Sequence, residues 1–351
     1  MRHWITNKSR ILDTISKRFS KCPVTWECRI SEPHHDFVMG GFNLVFQIRD
    51  VRIFVATLID ATHLWVPLLG PKDVVMFYDP WTIRPHIPQA VHAAAPHPEN
   101  IYFLCSDWQT YYLRKRCVRN TLLVSHNCFI DETVYTIKEG VEKEYDAVYN
   151  GRRSRTKRHY LAKEVGENLK LSLIYPHHDL QLYDVPEKEL PRHVYHNKIN
   201  LGPDQVCHVL NQSRVGLILS DVEGACFSSS EYLLCGLPVV STPSQGGRSL
   251  WYNDENSLIV DPDPRAVLEG VQRVLAAGRD PRRIRDAHLE EMRAQRQTLI
   301  DRVLAPVAER FGLGDWDYVA AFNRCNLADE FAFKKPNCWF DLEGVRRQLR
   351  G

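Results

Sequence analysis

The sequence predicts an α/β protein built on parallel β-sheet, and two patterns support this class. Over residues 146–278, short runs rich in β-branched residues alternate with helical segments of about 10 to 15 residues, which is the pattern of βαβ units. In the first third of the chain, apolar runs such as VRIFVATLI and DVVMFY have the length and composition of buried strands. With 351 residues, the chain is long enough for two domains with separate cores.

The N-terminal unit is predicted to span residues 1–135. Its predicted strands are VTWECRI, VRIFVATLI, DVVMFY, NIYFLC and TLLVS, and its predicted helices are RILDTISKRF and SDWQTYYLRKRC. A polar stretch at 136–146 is the predicted linker. A second unit is predicted at 145–311. The remaining residues, 312–351, form a tail that we expect to pack back toward the N-terminal domain.

Strands and helices alternate regularly in the second unit. The predicted strands are DAVYN, LKLSLIY, VGLILS and PVVST. The predicted helices are TKRHYLAKEVGEN, GPDQVCHVLNQS, SSSEYLLCG and DPRAVLEGVQRVLAAG. Gly236 is the predicted end of the third helix, and Asp263 or a neighbour is the predicted N-cap of the fourth. Residues 281–311 are predicted to form a long amphipathic helix with a kink at Pro306.

Composition argues against several classes of protein. The net charge is only +2, so no overall field favours nucleic acid. None of the ten cysteines forms a CxxC pair and most lie in apolar runs, which predicts buried free thiols in a reducing compartment and no zinc site. The N-terminus lacks the apolar segment of a signal peptide, and no run reaches the roughly 18 apolar residues of a membrane-spanning helix.

We therefore expect a cytoplasmic protein, with peripheral association with a membrane left open. The basic run LRKRCVRN, residues 113–120, is either a patch for a membrane surface or the solvated outer face of a helix.

Two carboxylates stand at the predicted functional edge of the second sheet. Glu223 lies in the loop after the strand VGLILS, where open parallel sheets bind ligands, and Glu231 lies about one turn into the next helix. The N-terminus of that helix directs free N–H groups and a positive dipole at the same edge, which is typical of an anion site. One carboxylate can then accept the two hydroxyls of a ribose, while the other faces the group beyond the phosphates.

Two further loops converge on this edge. Gly246 and Gly247 follow the strand PVVST, and adjacent glycines let backbone N–H groups approach a phosphate. Gly151 follows the strand DAVYN, and five of the next seven residues are basic, namely Arg152, Arg153, Arg155, Lys157 and Arg158. These segments together suit a nucleotide diphosphate that carries another group.

The stretch EGACFSSSE, followed by YLLCGLPVVST and the glycine pair, resembles the E-x7-E signature of retaining glycosyltransferases. GRRSRTK resembles the G-R-(x)n-K loop of that family, and DENSLIVDPDPRAVLEGV resembles its segment after the glycine pair. The likeness covers roughly residues 145–280. It implies the GT-B architecture, in which two Rossmann-like domains with parallel sheets face each other across a cleft. The C-terminal domain would then bind the nucleotide sugar and the N-terminal domain the acceptor.

By position, the resemblance also implies residue roles. Glu231 would bind the ribose, and Glu223 would contact the transferred sugar near the reaction centre. Arg152 and Lys157 would neutralise the diphosphate, which makes a bound metal unnecessary. The further residues implied in donor binding, several of them through backbone groups, are Gly151, Ala225, Cys226, Phe227, Gly246 and Gly247.

The sequence departs from the family pattern at three places, one of which is the loop TPSQGG, which is one residue longer than usual. Ala225 and Cys226 stand where the family has a phenylalanine–glycine pair. The first domain matches poorly, with Gly40-Gly41 as a weak candidate for a donor loop. His63 and Asp79 are candidates for the acceptor side, and a structural role is the alternative for each.

The expected function is transfer of a sugar from a UDP- or GDP-linked donor to an acceptor hydroxyl, with retention of anomeric configuration, in the synthesis of a glycan or glycolipid. The acceptor would be a carbohydrate or a lipid-linked group, and no separate cofactor is expected. Two alternatives stay open. One is a GT-B nucleotide-sugar epimerase or inverting transferase, and the other is a non-catalytic subunit that binds nucleotide sugars.

Overall fold

The computed structural model describes residues 38–39, 42–58, 62–78, 86–176, 185–192, 194–324, 339–340 and 349. The predicted elements VTWECRI and RILDTISKRF, the Gly40-Gly41 pair and Asp79 lie outside these residues. Residues from Val38 onward form one compact unit with two main sheets, in which nearly all neighbouring strands are parallel. The predicted α/β fold with two parallel sheets is therefore confirmed.

The strands are β1 (Val38–Met39), β2 (Phe42–Ile48), β3 (Val51–Thr57), β4 (Asp73–Tyr78), β5 (Ile101–Cys105), β6 (Thr121–Leu123), β7 (Tyr145–Asn150), β8 (Leu171–Ile174), β9 (Tyr195–His196), β10 (Ser213–Ile218), β11 (Val222–Glu223), β12 (Val239–Ser241), β13 (Gln245–Gly246), β14 (Ser257–Ile259) and β15 (Trp339–Phe340). The helices are α1 (Thr62–Trp65), α2 (His86–Ala94), α3 (Trp108–Lys115), α4 (Lys163–Asn168), α5 (Pro203–Asn211), α6 (Phe227–Leu234), α7 (Pro264–Ala277), α8 (Pro281–Leu299), α9 (Ala305–Arg310) and α10 (Tyr318–Arg324).

The N-terminal sheet has the strand order β2-β3-β4-β5-β6. Strands β3 to β6 are parallel, and their apolar sequences match the burial of β3, β4 and β5. The edge strand β2 is antiparallel to β3 and was not expected from the sequence. The turn between them contains Arg49 at φ 56°, a conformation usually signalled by glycine or asparagine, so the sequence lacks the normal mark of a hairpin.

The C-terminal sheet has the strand order β14-β12-β10-β7-β8-β9, and all its neighbouring strands are parallel. Counted along the chain from β7, this is the 3-2-1-4-5-6 order of a doubly wound sheet. The winding reverses between β7 and β10, so the crevice between their carboxyl ends is the expected ligand site. Strands β11 and β13 form a short parallel pair beyond this edge, which the sequence did not indicate.

The predicted helix TKRHYLAKEVGEN is wrong in its first half. Two 3-10 turns, Arg155–Lys157 and His159–Ala162, precede α4. Arg158 between them has φ 51° and ψ 47°, which is left-handed. A residue in this conformation breaks a right-handed helix, so the loop after β7 turns sharply before α4 begins.

The long C-terminal helix is interrupted near Pro306, as the sequence predicts. Helix α8 passes into a π-helical turn, Ile300–Leu304, before α9. Proline lacks an N–H group and its ring displaces the carbonyl four residues earlier, here that of Arg302 inside the π turn. The predicted caps are also present, since Asp263 accepts from the N–H groups at the start of α7 and Gly236 ends α6 at φ 72°.

Helix α8 also contacts the segment that follows β6. Arg296 donates to the carbonyl of Cys128 and pairs with Glu132 at 2.5 Å. The side-chain oxygen of Gln295 accepts from the N–H of Ser125 at 2.7 Å. The helix thus connects the C-terminal half to the end of the N-terminal sheet.

Gly216 allows β10 to pack closely on α6, and this generates a prediction about stability. A Cβ at Gly216 would overlap the ring of Tyr232, which is fully buried. We expect Gly216→Ala to lower the free energy of unfolding by roughly 1–3 kcal/mol, because a ring in a close-packed site cannot move aside without cost. Gly314→Ala is the control, since a Cβ there meets nothing within 4 Å. Equal thermal midpoints for the two variants would contradict the packing argument.

Candidate functional site

An ion pair bridges the crevice between β7 and β10. Lys157 lies in the 3-10 turn after β7, Glu223 lies in β11 after β10, and the Nζ of Lys157 contacts the Oε1 of Glu223. Their side chains are 21% and 14% exposed, so the pair is shielded but still reachable from solvent. An ammonium group has three N–H donors, so Lys157 can bind an anion while it holds Glu223.

Glu231 lies on the other side of the same crevice. Its Oε2 accepts from the Nδ2 of Asn150, the last residue of β7, at 3.0 Å. Burial raises the pKa of Tyr135, and the neighbouring Glu231 carboxylate raises it further. The two predicted carboxylates therefore bind different partners, since Glu223 pairs with an ammonium and Glu231 accepts from an amide.

Asn150 fixes α6 to the central strand of the sheet and was not identified from the sequence. Its backbone N–H donates to the Tyr232 hydroxyl at 2.6 Å, and its carbonyl accepts from the Ser228 hydroxyl at 3.0 Å. Its side-chain amide binds Glu231 as well. The sequence signal for such a residue is weak, since it consists only of a polar side chain at the last position of a buried strand.

The other two serines of α6 bind different neighbours. The hydroxyl of Ser229 lies 2.6 Å from that of Tyr252. The Oγ of Ser230 accepts from the Nδ2 of Asn127, a buried residue from the segment after β6. The serine run therefore anchors α6 on three sides.

The N-terminus of α6 begins at a left-handed residue. Cys226 has φ 54° and ψ 83°, and no side chain caps the helix there. This conformation costs a non-glycine residue about 1–2 kcal/mol. The carbonyls of Ala225 and Cys226 accept from the Nδ2 of Asn127 at 2.8 and 3.0 Å, which holds the backbone in place. In the first turn, the N–H of Ser229 donates to the carbonyl of Cys226 at 3.0 Å, and the N–H groups of Phe227 and Ser228 precede it at the helix end, where an anion can be bound.

The glycine pair has a role in backbone packing. A Cβ at Gly246 would overlap the carbonyl oxygen of Glu223, and a Cβ at Gly247 would overlap that of Ser106. The N–H of Gly247 donates to the carbonyl of Gly224 at 2.6 Å, so it is not directed at a ligand, contrary to the expectation from the sequence. Because Ser106 directly follows β5, the carboxyl edges of the two sheets meet at this contact.

The basic residues after β7 have different environments. Arg152 and Arg155 are exposed, whereas Arg153 donates to the carbonyl of Val185 at 3.0 Å. Lys157 contacts Glu223 as described above. Arg158 is half-buried and donates into the sheet edge, so the run is not a single solvated surface.

Other predicted residues lie elsewhere. His63 is exposed on α1, and Gly151 is buried at the end of β7.

The described cysteines are free, but Cys117 is exposed and Cys226 half-buried, so the prediction of burial is wrong for Cys117. Among the described residues, no group of three histidine, cysteine or acidic side chains could hold a metal ion. The described helices include none long and apolar enough to cross a membrane.

The strand order defines an α/β protein whose second half is a doubly wound sheet, with Glu223 and Glu231 close to the crevice at its switch point. The family model of the glycosyl transferases group 1 matches residues 137–290, so this segment is similar to that family. The match covers less than half of the chain and coincides with the C-terminal sheet and its helices.

Solved structures that are similar to parts of this chain include TarM, HepE and AviGT4. TarM of S. aureus is 16% identical, with a TM-score of 0.47, and the alignment covers 69% of this chain and 57% of TarM. HepE of Anabaena in complex with UDP is 10% identical, with a TM-score of 0.48 and coverage of 68% and 71%. AviGT4, a glycosyltransferase involved in avilamycin A biosynthesis, is 18% identical, with a TM-score of 0.47 and coverage of 76% and 77%.

The chain therefore spans little more than half the length of TarM. No curated protein is similar enough in sequence to count as a match.

The contacts of Asn127 generate a prediction about stability. Asn127→Ala removes the amide that donates to the carbonyls of Ala225 and Cys226 and to the hydroxyl of Ser230, and we expect it to lower the free energy of unfolding by about 1–3 kcal/mol. Asn168→Ala is the control, because the Asn168 amide bonds one carbonyl on an exposed helix end. Thermal unfolding of both variants measures the difference. An Asn127→Ala protein as stable as the control would show that these bonds do not hold α6.

Proposed function

We propose that the protein is a glycosyltransferase that moves a sugar from a nucleotide-diphosphate donor to an acceptor hydroxyl with retention of anomeric configuration. The observation that carries the proposal is the Lys157–Glu223 ion pair across the crevice between β7 and β10, beside the open N-terminus of α6. A cation and a helix N-terminus suit a diphosphate, and a carboxylate next to them suits the sugar attached to it.

The donor would lie along this crevice with its ribose at Glu231. A carboxylate can accept both hydroxyls of a ribose, and the amide of Asn150 holds the Glu231 side chain at the end of β7. The diphosphate would lie at the first turn of α6, near Lys157 and the exposed Arg152. The base, uracil or guanine, would extend beyond the ribose.

The reaction follows from this arrangement of charges. The bond between the anomeric carbon and the phosphate oxygen breaks, and the electron pair leaves with the nucleoside diphosphate. Lys157, Arg152 and the N-terminus of α6 stabilise that negative charge. The acceptor oxygen bonds to the same face of the sugar, and its proton passes to the departing phosphate. Glu223 stabilises the positive charge that develops on the sugar ring.

The test starts with a panel of UDP- and GDP-linked sugars in thermal unfolding, because a bound donor raises stability by mass action. The stabilising donor is then incubated with carbohydrate and lipid-linked acceptors, and nucleoside diphosphate and product anomer are measured. Release of nucleoside diphosphate with the donor's anomeric configuration retained is expected. A product of opposite configuration indicates an inverting enzyme, an epimerised nucleotide sugar indicates an epimerase, and binding without turnover indicates a non-catalytic subunit.

The two carboxylates should differ in kinetic role. Glu223→Gln removes a charge that acts on the transition state, so we expect turnover to fall by more than about tenfold, or ~1.4 kcal/mol, with little change in donor affinity. Glu231→Gln should instead mainly weaken donor binding. Donor Kd by calorimetry and kcat by product release are measured for both variants. Equal effects on Kd and kcat in both would contradict the division of roles.

The exposed aromatic and basic residues of α3 favour an acceptor that is attached to a membrane lipid. Trp108 and Tyr112 are 54% and 51% exposed and stack with ring centroids 5.6 Å apart. Lys115, Arg116 and Arg119 are exposed beyond them. Aromatic rings with neighbouring cations suit the headgroup region of an anionic bilayer. The patch begins two residues after Ser106, which contacts the glycine pair, so a lipid-linked acceptor held there would be close to the donor.

This surface yields a binding prediction. Each basic residue near an anionic bilayer contributes about 1 kcal/mol, so Lys115→Glu/Arg116→Glu should lower binding to vesicles of phosphatidylglycerol and phosphatidylcholine by about tenfold or more. Trp108→Ala/Tyr112→Ala should also weaken it. Arg282→Glu/Arg283→Glu, at the exposed start of α8, is the charge-matched control. Cosedimentation that is the same for all variants would exclude this surface as the membrane contact.

A further inference from the structure

Two arginines meet where the central strands of the C-terminal sheet end. Arg158 donates from Nε to the carbonyl of Leu219 at 2.6 Å and from Nη2 to the hydroxyl of Thr242 at 2.7 Å. Arg248 donates from Nη1 to the carbonyl of Ser220 at 2.6 Å and from Nη2 to the carbonyl of Thr242. Each guanidinium therefore joins the end of β10 to the end of β12.

The two strand ends lead directly into the proposed donor site. After β10, the chain continues into β11 and Glu223, and after β12 it continues into β13 and the glycine pair. Bonds that join these two ends also fix the spacing of the two segments beyond them. The Ser220 hydroxyl, at 2.9 Å from Nη1 of Arg248, adds a second bond to the same residue.

The acceptors of both guanidinium groups are neutral. Within the part of the chain that the structure describes, neither Arg158 nor Arg248 has an ion-pair partner, and Arg248 is only 1% exposed. Arginine stays charged in proteins, and a buried charge without a counter-charge is costly. A neutral side chain can also bridge two backbone segments by hydrogen bonds. The amide of Asn197 does so when it donates to the carbonyls of Tyr175 and Ile199. Cross-linking two strand ends therefore does not by itself require a cation.

The positive charge of Arg248 acts electrostatically on Cys226, at the N-terminus of α6. Burial raises the pKa of the Cys226 thiol, the Glu223 carboxylate raises it further, and the cations Lys157 and Arg248 oppose that rise. Arg158, Arg248, Lys157 and the helix dipole therefore contribute positive potential to a region in which Glu223 is the paired carboxylate. Asp221 is exposed between the two strand ends. Counted with Glu231 on α6, the three cations and the three carboxylates are equal in number, and the helix dipole adds partial positive charge at the N-terminus of α6, where an anion would be stabilised.

We propose that Arg158 and Arg248 are positioning residues for a nucleoside diphosphate, which hold the Glu223 segment and the glycine turn together and supply fixed positive charge behind the phosphates. This inference rests on the proposed function. Arg248 acts without touching the ligand, since it is buried. Its effect is specific to the phosphate part of the ligand, whereas damage to the fold would affect the nucleoside part as well.

The test compares UDP and GDP with uridine and guanosine by titration calorimetry. For the pair that the wild-type protein binds, Arg248→Met and Arg158→Met should each weaken diphosphate binding by about tenfold and change nucleoside binding less than about twofold. Arg248→Lys keeps the charge and should stay within about threefold of wild type.

Arg285→Met is the matched control, because the half-buried Arg285 also donates to neutral acceptors, here the carbonyls of Glu132, Tyr135 and Leu234 at the far end of α6. It should lower the thermal midpoint without a selective loss of diphosphate binding.

Three outcomes are distinguishable. A selective loss of diphosphate affinity in the methionine variants, rescued in Arg248→Lys, supports the inference. Unchanged affinity, or an equal loss for nucleoside and diphosphate, overturns it while the proposed function stands. A wild-type protein that binds neither diphosphate refutes the proposed function and the inference with it. If Arg248→Met does not fold, the ratio of diphosphate to nucleoside affinity in Arg158→Met, at a half-buried position, decides between the first two outcomes.

Discussion

The hydrogen bonds of Asn150 are the constraint on which the candidate site depends. The backbone N–H, the backbone carbonyl and the side-chain amide of this residue each bind a different residue of α6. Asn150 is also the last residue of β7, the strand at which the winding of the sheet reverses. The orientation of α6 is therefore set by the central strand, and with it the position of Glu231 and of the helix N-terminus. From the segment after β6, the side-chain amide of Asn127 also bonds the start of α6, through the carbonyls of Ala225 and Cys226 and the hydroxyl of Ser230.

Much of the C-terminal half could be predicted because its signals are local. The alternation of apolar runs and amphipathic segments located β7, β8, β10 and β12, and cap residues located the start of α7 and the end of α6. The carboxylates could be assigned to one edge because the carboxyl ends of parallel strands share an edge. The pattern of Glu223 and Glu231 around a helix start added the resemblance to a known family.

The remaining features depend on contacts between segments distant in sequence. Arg158 and Arg153 belong to one basic run, yet one binds the sheet edge and the other the carbonyl of Val185. No local pattern distinguishes them. The glycine pair was expected at a phosphate, but its lack of side chains is required by Glu223 and Ser106, which lie more than 20 and more than 100 residues away. The strand β2 and the left-handed Arg158 were missed because neither turn contains a glycine at the critical position.

The contacts of Asn127 and Gly247 have a consequence for cooperativity. Asn127 bonds the start of α6 and Gly247 packs closely against Ser106, so separation of the two halves would break the bonds at α6 and the contact at the glycine turn together. A ligand that binds in the N-terminal half and favours the joined arrangement would also favour the crevice as it stands here. Thermodynamic linkage then requires each ligand to raise the affinity for the other by the same factor. Mutual enhancement of the binding of two ligands would follow from these contacts without any dedicated regulatory site.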